Sequence, residues 1–345
     1  MKALITGGCG FLGVHLARQL LKNKYEVTLL DLADLDAKDL IGKVKVIKCD
    51  IRDKDKTGNA IRGYDYVVHA AAALPILRKR KIIFDANING TKNILDASLK
   101  NKIKRLVFIS STEVYGMPRR LPETEINPLS PISYYGQSKV AGEKLCLEYI
   151  EKGLSVNILR PKSFLGPERL GVFELWFEAM YNGKSVYILG NGNNRYQLLA
   201  VSDTVDAIIK TMESKIEGKI FNIGAKEFQT WNKDLGAVIR YANSKSRIIK
   251  LPILPSQILL RMLEILNLSP IAIWHYKTMP VDSYVDIQKA EKLLKWSPKK
   301  SNKELLIESY QWYKENRNNR IINKIGTTHR VGWNFKLLNI IKNIF

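Results

Sequence analysis

Short apolar runs alternate with amphipathic helical patterns along the first 160 residues of the chain. Lys2–Thr6 is an apolar run that predicts a buried strand, and Phe11–Asn23 repeats leucines at helical spacing. The same alternation predicts further strands at Glu26–Asp31, Val44–Ile47, Tyr66–His69, Arg105–Ser110 and Ser155–Arg160, and further helices at Phe84–Lys100 and Tyr134–Glu151. Apolar strands separated by crossover helices are typical of a parallel sheet with helices on both faces. The pattern therefore predicts a doubly wound α/β fold.

The pattern changes after about Pro161, where glycine and proline become denser. The helices predicted in this second half are Thr204–Met212, Lys233–Ala242, Ile258–Leu266 and Asn302–Glu315. A length of 345 residues also exceeds the usual size of one core. We expect a first domain over residues 1–165, to which some later segments return, a smaller lobe mainly over residues 166–315, and a tail over residues 316–345.

A glycine-rich turn follows the first predicted strand. Gly7, Gly10 and Gly13 fit the glycine spacing of a dinucleotide-binding turn. Such glycines permit a tight turn, a close approach of the backbone to a pyrophosphate, and close packing of helix on strand. Phe11 and Leu12 open the helix, whose N-terminal N–H groups then point at the phosphates. Because the turn lies between a strand and a helix, we interpret it as a phosphate-binding site.

Two aspartates follow the next two predicted strands. Asp31 ends the second strand, eighteen residues after Gly13, where a carboxylate can bind both ribose hydroxyls and repel a 2′-phosphate. No arginine occurs within Leu32–Asp36, so we predict NAD rather than NADP. The alternative is that Asp31 only caps its strand. Asp50 follows the third strand and is a candidate partner for the adenine amino group.

Tyr135 and Lys139 lie four residues apart, on one face of a predicted helix. A tyrosine phenol has a reference pKa near ~10. A neighbouring ammonium, together with a positive nicotinamide ring, would lower that pKa and favour the phenolate. Tyr135 could then exchange a hydroxyl proton with a substrate while hydride moves. Ser111, just after the predicted strand Arg105–Ser110, would add a hydroxyl at the carboxyl end of the sheet.

Several motifs together resemble those of the extended short-chain dehydrogenase/reductase family, and more narrowly its NAD-dependent nucleotide-sugar epimerases and dehydratases. They occur in order at Thr6–Gly13, His69–Ala72, Asn87–Thr91, Ser111–Gly116, Tyr135–Lys139 and Arg160-Pro161. The likeness extends over residues 3–315. It implies a Rossmann-like domain that holds NAD tightly and a smaller C-terminal lobe that binds a sugar diphosphate.

The resemblance also implies roles for individual residues. Tyr135 would be the acid/base, Lys139 would orient it and bind the nicotinamide ribose, and Ser111 would share the proton of the sugar hydroxyl. The cofactor-binding residues expected besides Tyr135 and Lys139 are Gly7, Gly10, Phe11, Leu12, Gly13, Asp31, Asp50, Ile51, Ala70, Ala71 and Ala72. Asn87 either orders the site or is a buried structural asparagine.

The reaction is narrowed by position 112. Dehydratases of the resembled family carry Thr-Asp-Glu where this chain has Ser111-Thr112-Glu113, so the acid that expels a hydroxyl is missing. We therefore favour epimerisation, at C4, by oxidation of a hydroxyl, rotation of the ketone and return of the hydride. Glu113 is either a catalytic residue or a hydrogen-bond partner. The alternatives are a sugar-acid decarboxylase, a dehydrogenase or reductase of a sterol-like or lipid alcohol, and a non-catalytic sensor of NAD.

Two cations are candidates for binding the substrate diphosphate. Arg195 lies in a segment, Gly190–Gln197, that resembles the one whose arginine meets the diphosphate in the family. A second arginine of the family is replaced by Lys277, which puts a standard uridine-diphosphate site in doubt. The segment Gly166–Gly171 would line the sugar. His275 is a candidate base, and the alternative is a structural histidine.

The distribution of charge along the chain bears on where in the cell the protein acts. The chain has 55 basic and 33 acidic residues, a net charge of +22. Six basic and no acidic residues follow Asn316, and Trp333–Phe345 has an amphipathic helical pattern. A further basic cluster lies at Arg78–Lys81. We therefore hypothesise an enzyme at the cytoplasmic membrane face that acts on a nucleotide- or polyprenyl-linked sugar diphosphate. The alternative is that the tail packs on its own domain or on a dimer partner.

Other features exclude classes of protein. The start of the chain breaks into glycines too early for a signal peptide, and no window reaches the ~18 apolar residues of a spanning helix. Three widely separated cysteines fit a reducing compartment and argue against a disulfide framework. The histidines lack the spacing of metal ligands, so we expect no metal. We find no nucleic-acid motif, so we expect no nucleic-acid partner. We also expect a homodimer.

Overall fold

The computed structural model describes residues 1–74, 79–266, 268 and 271–322, with side chains to Asn318. Its strands are β1 (Lys2–Thr6), β2 (Glu26–Asp31), β3 (Lys45–Lys48), β4 (Tyr66–His69), β5 (Arg105–Ile109), β6 (Val156–Pro161), β7 (Phe164–Leu165), β8 (Val186–Leu189), β9 (Leu199–Ala200), β10 (Ile220–Ile223) and β11 (Ile248–Leu251). Its helices are α1 (Phe11–Lys22), α2 (Lys54–Ala60), α3 (Arg80–Phe84), α4 (Gly90–Lys100), α5 (Tyr134–Glu151), α6 (Phe173–Tyr181), α7 (Val201–Glu213), α8 (Trp231–Tyr241), α9 (Ile253–Ile265), α10 (Ile273–Thr278), α11 (Gln288–Leu294) and α12 (Asn302–Ile322).

A seven-stranded parallel sheet forms the centre of the molecule, in the order β10-β6-β5-β4-β1-β2-β3. This confirms the predicted Rossmann-like, doubly wound fold. Strand β1 lies between β2 and β4, and Thr6 at its end is level with Leu30 and His69. The chain leaves β1 for one face of the sheet and β4 for the other, so the carboxyl ends of these strands border the crevice where such folds bind ligands.

Alternate residues of each strand point to opposite faces, and both faces are buried. Leu4 and Val67 belong to a core shared with Ile94 of α4. Ile5 and Val68 belong to a core on the other face, which includes Leu16 of α1 and Ile208 of α7. Because both faces are covered, the strands are continuous apolar runs, which is why the sequence pattern located them well.

The segment after β4 forms one continuous helix with an irregular turn. Helix α3 passes into a π-helical turn at Asp85–Asn89, which continues as α4. The side chain of Asn87 lies in this turn, where its amide oxygen accepts from the N–H of Ala73 at 2.7 Å. Its nitrogen donates to Ala73 O at 3.0 Å and to Ser138 Oγ at 2.9 Å. Asn87 thereby connects the loop after β4 to α5, between Tyr135 and Lys139.

The chain after residue 161 returns to the central sheet, where β10 pairs with β6. Other parts of it form a separate core between α6, β8, α8 and α12. The sequence pattern missed α6, β8 and β11. Helix α12 also extends to Ile322 rather than ending at Glu315, and Arg317 binds Glu178 at 3.1 Å. The start of the predicted tail therefore packs on α6.

The rest of the predicted tail, residues 323–345, lies outside the described residues, as does Arg78 of the basic cluster. The remaining members of that cluster, Lys79–Lys81, are exposed at the start of α3. All three cysteines are buried, and none of them is part of a disulfide. Within the described ranges, no helix is long and apolar enough to cross a membrane.

Candidate functional site

The glycine-rich turn has the geometry that a pyrophosphate site needs. Gly7 has φ +66°, and a Cβ there would lie 2.8 Å from the backbone of Ala71. A Cβ on Gly13 would lie 2.5 Å from Gly8 O. The turn therefore forms a cradle that side chains would fill. The first N–H groups of α1, from Phe11 and Leu12, have no partner within a helix and are suited to bind phosphate oxygens.

The predicted ribose and adenine residues lie beside this turn. Asp31 Oδ2 accepts from the N–H of Cys9 at 2.9 Å, and Oδ1 accepts from Ala33 N at 2.9 Å. These bonds fix the carboxylate at the mouth of the turn, and each oxygen keeps a further acceptor position. Asp50 instead binds the Arg52 guanidinium at 2.6 Å, and this contact lowers the pKa of the carboxyl below its ordinary value.

The alanines after β4 cover the other side of the turn. Ala70 N donates to Thr6 O at 3.3 Å, and Ala71 N donates to Thr6 Oγ1 at 3.2 Å. Ile51 is buried against Gly90, where a Cβ would lie 2.5 Å from Ile51 Cδ1. The turn and the alanines are thus in direct contact, and the N–H groups of the turn are the groups that would hold the phosphates of NAD.

Tyr135 and Lys139 lie on the first turns of α5, which Ser133 caps through a bond to Gly136 N at 2.9 Å. Lys139 is buried and donates to Ile109 O at 2.7 Å, and its Nζ lies 5.6 Å from the centre of the Tyr135 ring. Burial lowers the pKa of Lys139 to about 8.

The pKa of Tyr135 differs from the expectation. Burial raises it above its ordinary value, and the charge of Glu113 raises it further, while Arg169 opposes both effects. The protein groups alone therefore do not lower this pKa, because the ammonium of Lys139 is directed to a backbone carbonyl. The contribution expected from the nicotinamide ring stays a prediction.

Ser111 and Glu113 lie on a short 3-10 turn directly after β5. Ser111 caps this turn, and its Oγ accepts from Glu113 N at 3.1 Å, which leaves the hydroxyl proton for another acceptor. Glu113 is buried and accepts from Ser133 Oγ at 2.7 Å. Burial raises the pKa of Glu113 to about 7. The structure thus joins Glu113 to the cap of the helix that carries Tyr135.

A buried ion pair connects the elements that carry this turn, and the sequence pattern did not predict it. Arg160 Nη2 lies 2.6 Å from Glu143 Oε2, and both side chains are almost fully buried. Arg160 Nη1 also donates to the hydroxyl of Tyr115 at 2.8 Å. Ser110 donates to Glu143. The pair thereby connects α5, β5 and β6 beneath the catalytic candidates.

Arg169 was predicted only as part of a segment lining the sugar, but its charge acts directly on Tyr135 and His275. Its guanidinium lies 5.6 Å from the centre of the Phe11 ring. Burial lowers the pKa of Arg169, and no ion pair among the described residues includes it. Arg169 is therefore a buried cation whose charge favours the ionised form of Tyr135.

His275 has a structural role in the protein. Its Nδ1 accepts from Ala272 N at 3.3 Å, a contact that caps α10. Burial, helped by the charge of Arg169, lowers the pKa of His275 to about 4. The ring is therefore neutral at pH 7, a state that both a structural histidine and a base would have, and the hydrogen bond from Ala272 N occupies its Nδ1.

The two cations predicted to bind the diphosphate lie in the C-terminal part of the chain. Arg195 is exposed, and its guanidinium lies 4.7 Å from the Phe228 ring and 5.1 Å from the Tyr284 ring. Lys277 Nζ donates to Gln257 Oε1 on α9 at 3.1 Å. None of these contacts involves Tyr135, and the binding of the substrate diphosphate by Arg195 and Lys277 stays a prediction.

A family model and several known proteins match the chain. The model for the NAD-dependent epimerase/dehydratase family matches residues 3–224. The UDP-N-acetyl-alpha-D-glucosaminuronate decarboxylase of Bacillus cytotoxicus is 30 % identical over 334 residues, which are 91 % of this chain and 98 % of that protein.

Solved structures extend the likeness to the whole described fold. The UDP-glucose 4-epimerase of Thermotoga maritima, crystallised with UDP-glucose, is 26 % identical with a TM-score of 0.78, covering 92 % of this chain and 100 % of that chain. The UDP-glucuronic acid 4-epimerase of Bacillus cereus, in complex with NAD, is 25 % identical with a TM-score of 0.75, covering 91 % and 99 %. These likenesses show that the chain is NAD-dependent, and the binding of NAD by the glycine turn and the alanines stays a prediction.

Proposed function

The chain belongs to the NAD-dependent epimerase/dehydratase family, and from that premise we propose that it inverts C4 of a diphosphate-linked sugar. The observation that supports the proposal is that Ser111 and Glu113 directly follow β5 and that Glu113 binds Ser133, the cap of the helix that carries Tyr135. Thr112 lies where dehydration would need an acid. Two hydroxyl groups and one hydride carrier suffice to oxidise and re-reduce a sugar alcohol.

Each residue has a part in this chemistry. Bound NAD would supply the acceptor and then the donor of the hydride. Tyr135 takes the proton of the sugar hydroxyl at its Oη and gives it back to the ketone oxygen. Ser111 holds the same sugar oxygen through its free O–H, and Lys139 places a positive charge beneath the phenol ring. Thr112 offers no acid, so a hydroxyl β to the ketone is not expelled.

The test compares Tyr135→Phe with Tyr134→Phe, since Tyr134 is the adjacent tyrosine and its side chain is exposed. Tyr135→Phe should lower turnover roughly 10²–10⁴-fold and leave NAD bound, whereas Tyr134→Phe should act like the parent. NMR of the sugar ring protons measures inversion, and absorbance at 340 nm measures NADH. Sustained NADH formation in step with product, or full turnover by Tyr135→Phe, would contradict the proposal.

Arg169 favours a second candidate, decarboxylation of a sugar acid. A guanidinium whose charge acts on Tyr135 is suited to bind a substrate carboxylate. Oxidation at C4 turns a sugar acid into a β-keto acid, which can lose CO₂. The relative from Bacillus cytotoxicus is named as a decarboxylase of such a sugar. Released CO₂ from UDP-glucuronic acid would favour this candidate, and inversion with retained carboxylate would favour epimerisation.

The charge of Arg169 can be tested separately from the choice of reaction. Arg169→Gln should raise KM for a sugar acid at least about tenfold, the loss of one charge-assisted bond, and leave KM for the neutral sugar unchanged. Equal effects on both substrates would show that Arg169 only supports the fold.

The carrier of the sugar is the last part of the proposal. We propose a polyprenyl diphosphate at the cytoplasmic membrane face, which the net charge of +22 and the basic, amphipathic tail pattern support. We also propose that the protein is a homodimer and lies in the cytoplasm. Comparing inversion of a polyprenyl-diphosphate sugar with that of the matching UDP-sugar tests the carrier, and a higher kcat/KM for the UDP-sugar would contradict it.

A further inference from the structure

Helix α9 (Ile253–Ile265) has an apolar face that points to solvent. Six large apolar side chains on this face and at its C-terminal end are 54–68 % exposed. They are Leu254, Ile258, Leu259, Met262, Ile265 and Leu266. At 100° per residue they cover an arc of about 140°. A soluble helix normally presents its polar residues on the outer side, so the orientation of α9 is inverted.

Polar contacts on the inner side hold α9 in this orientation. Glu264 is buried and accepts from the hydroxyl of Tyr276 at 2.7 Å and from Ile273 N at 3.1 Å. Gln257 donates to Tyr276 O at 3.0 Å and accepts from Lys277. Because the polar residues face α10, the apolar residues must face outward, and the exposure is a property of the packed structure.

The apolar face lies next to the predicted substrate segments. Helix α9 packs on α10, whose His275 lies within electrostatic reach of Arg169 in the candidate site. Strand β11 leads into α9, and Leu251 at its end accepts from Gly190 N at 2.9 Å. Gly190 begins the segment that contains Arg195, the candidate for the diphosphate. The helix therefore flanks the side of the site where the carrier of the sugar is expected.

Charge decides which partner fits this face. Arg261 is exposed at the edge of the apolar arc, where it pairs with Glu264 at 2.9 Å. Arg247 and Lys250 are exposed just before and on the strand that leads into the helix. A second copy of the chain would bring these cations against their own equivalents, with a net charge of +22 on each copy. An anionic lipid surface would attract them and accept the apolar side chains at the same place.

We propose that α9 docks the protein onto an anionic membrane, with its apolar face in the interfacial layer. The helix has 13 residues, which is too short to span a bilayer, so it lies along the surface. The consequence for the substrate rests on the proposed function: docking would present the diphosphate side of the site to a sugar carried by a membrane lipid.

The experiment measures flotation of the full chain with vesicles of phosphatidylglycerol or of phosphatidylcholine. The variant Leu259→Gln/Met262→Gln changes two side chains that are each 56 % exposed, so the fold should persist. The control Ile41→Gln/Ile126→Gln makes the same chemical change at exposed positions away from α9. The α9 variant should bind phosphatidylglycerol vesicles at least tenfold more weakly than the parent, and the control should bind like the parent.

Three results would overturn the proposal. Unchanged vesicle binding by the α9 variant would assign docking to another segment. A change of oligomeric state in analytical ultracentrifugation, without loss of vesicle binding, would make the face an interface between copies. Easier proteolysis of residues 323–345 in the variant, again without loss of vesicle binding, would mean that the tail covers α9. Turnover of a water-soluble UDP-sugar should be equal in all three proteins, so a failed activity assay would concern the proposed function and leave the docking result intact.

Discussion

The close approach of Gly7 to Ala71 permits a quantitative test of the predicted NAD site. In Gly7→Ala, the new methyl group would lie 2.8 Å from both the nitrogen and the Cα of Ala71 and 3.1 Å from the carbonyl carbon of Ala70. These are backbone atoms, so no side-chain rotation relieves the contact. The turn or the loop after β4 must move, and both carry N–H groups that the NAD site needs.

Two costs add in this variant. A residue with a Cβ at φ +66° loses roughly 1–2 kcal/mol relative to glycine. The clash with the backbone adds the roughly 1–3 kcal/mol typical of overpacking. Gly153 separates the two costs, because it has φ +89° and a Cβ there would meet no atom within 4 Å. Gly153→Ala should therefore lose only the first amount.

Urea unfolding of the parent and both variants, without added NAD, measures the free energy of unfolding. Gly7→Ala should be about 1–3 kcal/mol less stable than Gly153→Ala. Its Kd for NAD, from isothermal titration, should rise at least about tenfold, which corresponds to 1.4 kcal/mol, whereas Gly153→Ala should bind like the parent. Equal stability of the two variants, together with parental NAD affinity in Gly7→Ala, would refute the assignment of this turn.

Three further predictions concern buried groups of the site. The pKa of Glu113 is about 7 in the folded chain and ~4.3 in the unfolded chain. Between these two pH values the carboxyl is protonated in the folded chain and ionised in the unfolded chain. The free energy of unfolding therefore falls as the pH rises through this range. From pH 5 to pH 8 the parent should lose roughly 2–3 kcal/mol more than Glu113→Gln in urea unfolding, and parallel pH profiles would contradict this. Arg160→Met leaves Glu143 charged and buried and should lower the free energy of unfolding by roughly 3–5 kcal/mol. The double variant Arg160→Met/Glu143→Met should recover part of this loss. No recovery would mean that packing, not charge, is responsible. Asn87→Ala removes the side-chain partner of the N–H and the carbonyl of Ala73. The free energy of unfolding should fall by roughly 1–3 kcal/mol for each of these groups that stays buried, and NAD should bind more weakly in the same titration. A loss of stability well below that range would show that the loop re-forms its hydrogen bonds.

The strands of the sheet could be predicted because the apolar pattern that identifies each strand lies within a few consecutive residues. Strands β1, β2 and β4 have the bounds that the apolar runs predicted, since strands buried on both faces are continuous apolar runs. The glycine turn was predictable for a similar reason, because the turn requires residues without a Cβ. Strands β8 and β11 were missed because they form a separate two-stranded sheet, outside the alternation of strands and helices that identifies the central sheet.

The contacts of the site depend on distant parts of the chain, and local patterns do not contain them. Arg160 and Glu143 are 17 residues apart, a spacing that matches no helical or strand neighbour. The influence of Arg169 on Tyr135 arises only after β6 and α5 are packed. Helix α9 looks like a core helix in sequence because its apolar residues are plentiful, and only the inward contacts of Glu264 and Gln257 reveal which way they face.

The electrostatics of Tyr135 explain how such a site could return the hydride it takes. Burial and Glu113 raise the pKa of the phenol, and burial lowers the pKa of Lys139, so the protein alone favours a protonated tyrosine. Tyr135 becomes the better base when a positive charge is added at the nicotinamide position, and the better acid when that charge is neutralised by hydride. The proton on Tyr135 would thus follow the oxidation state of the cofactor. A phenol with a low pKa would release this proton to solvent before the ketone is reduced. A phenol with a raised pKa retains the proton until the ketone oxygen takes it, so the proton and the hydride can return to the sugar together, as inversion without net NADH requires.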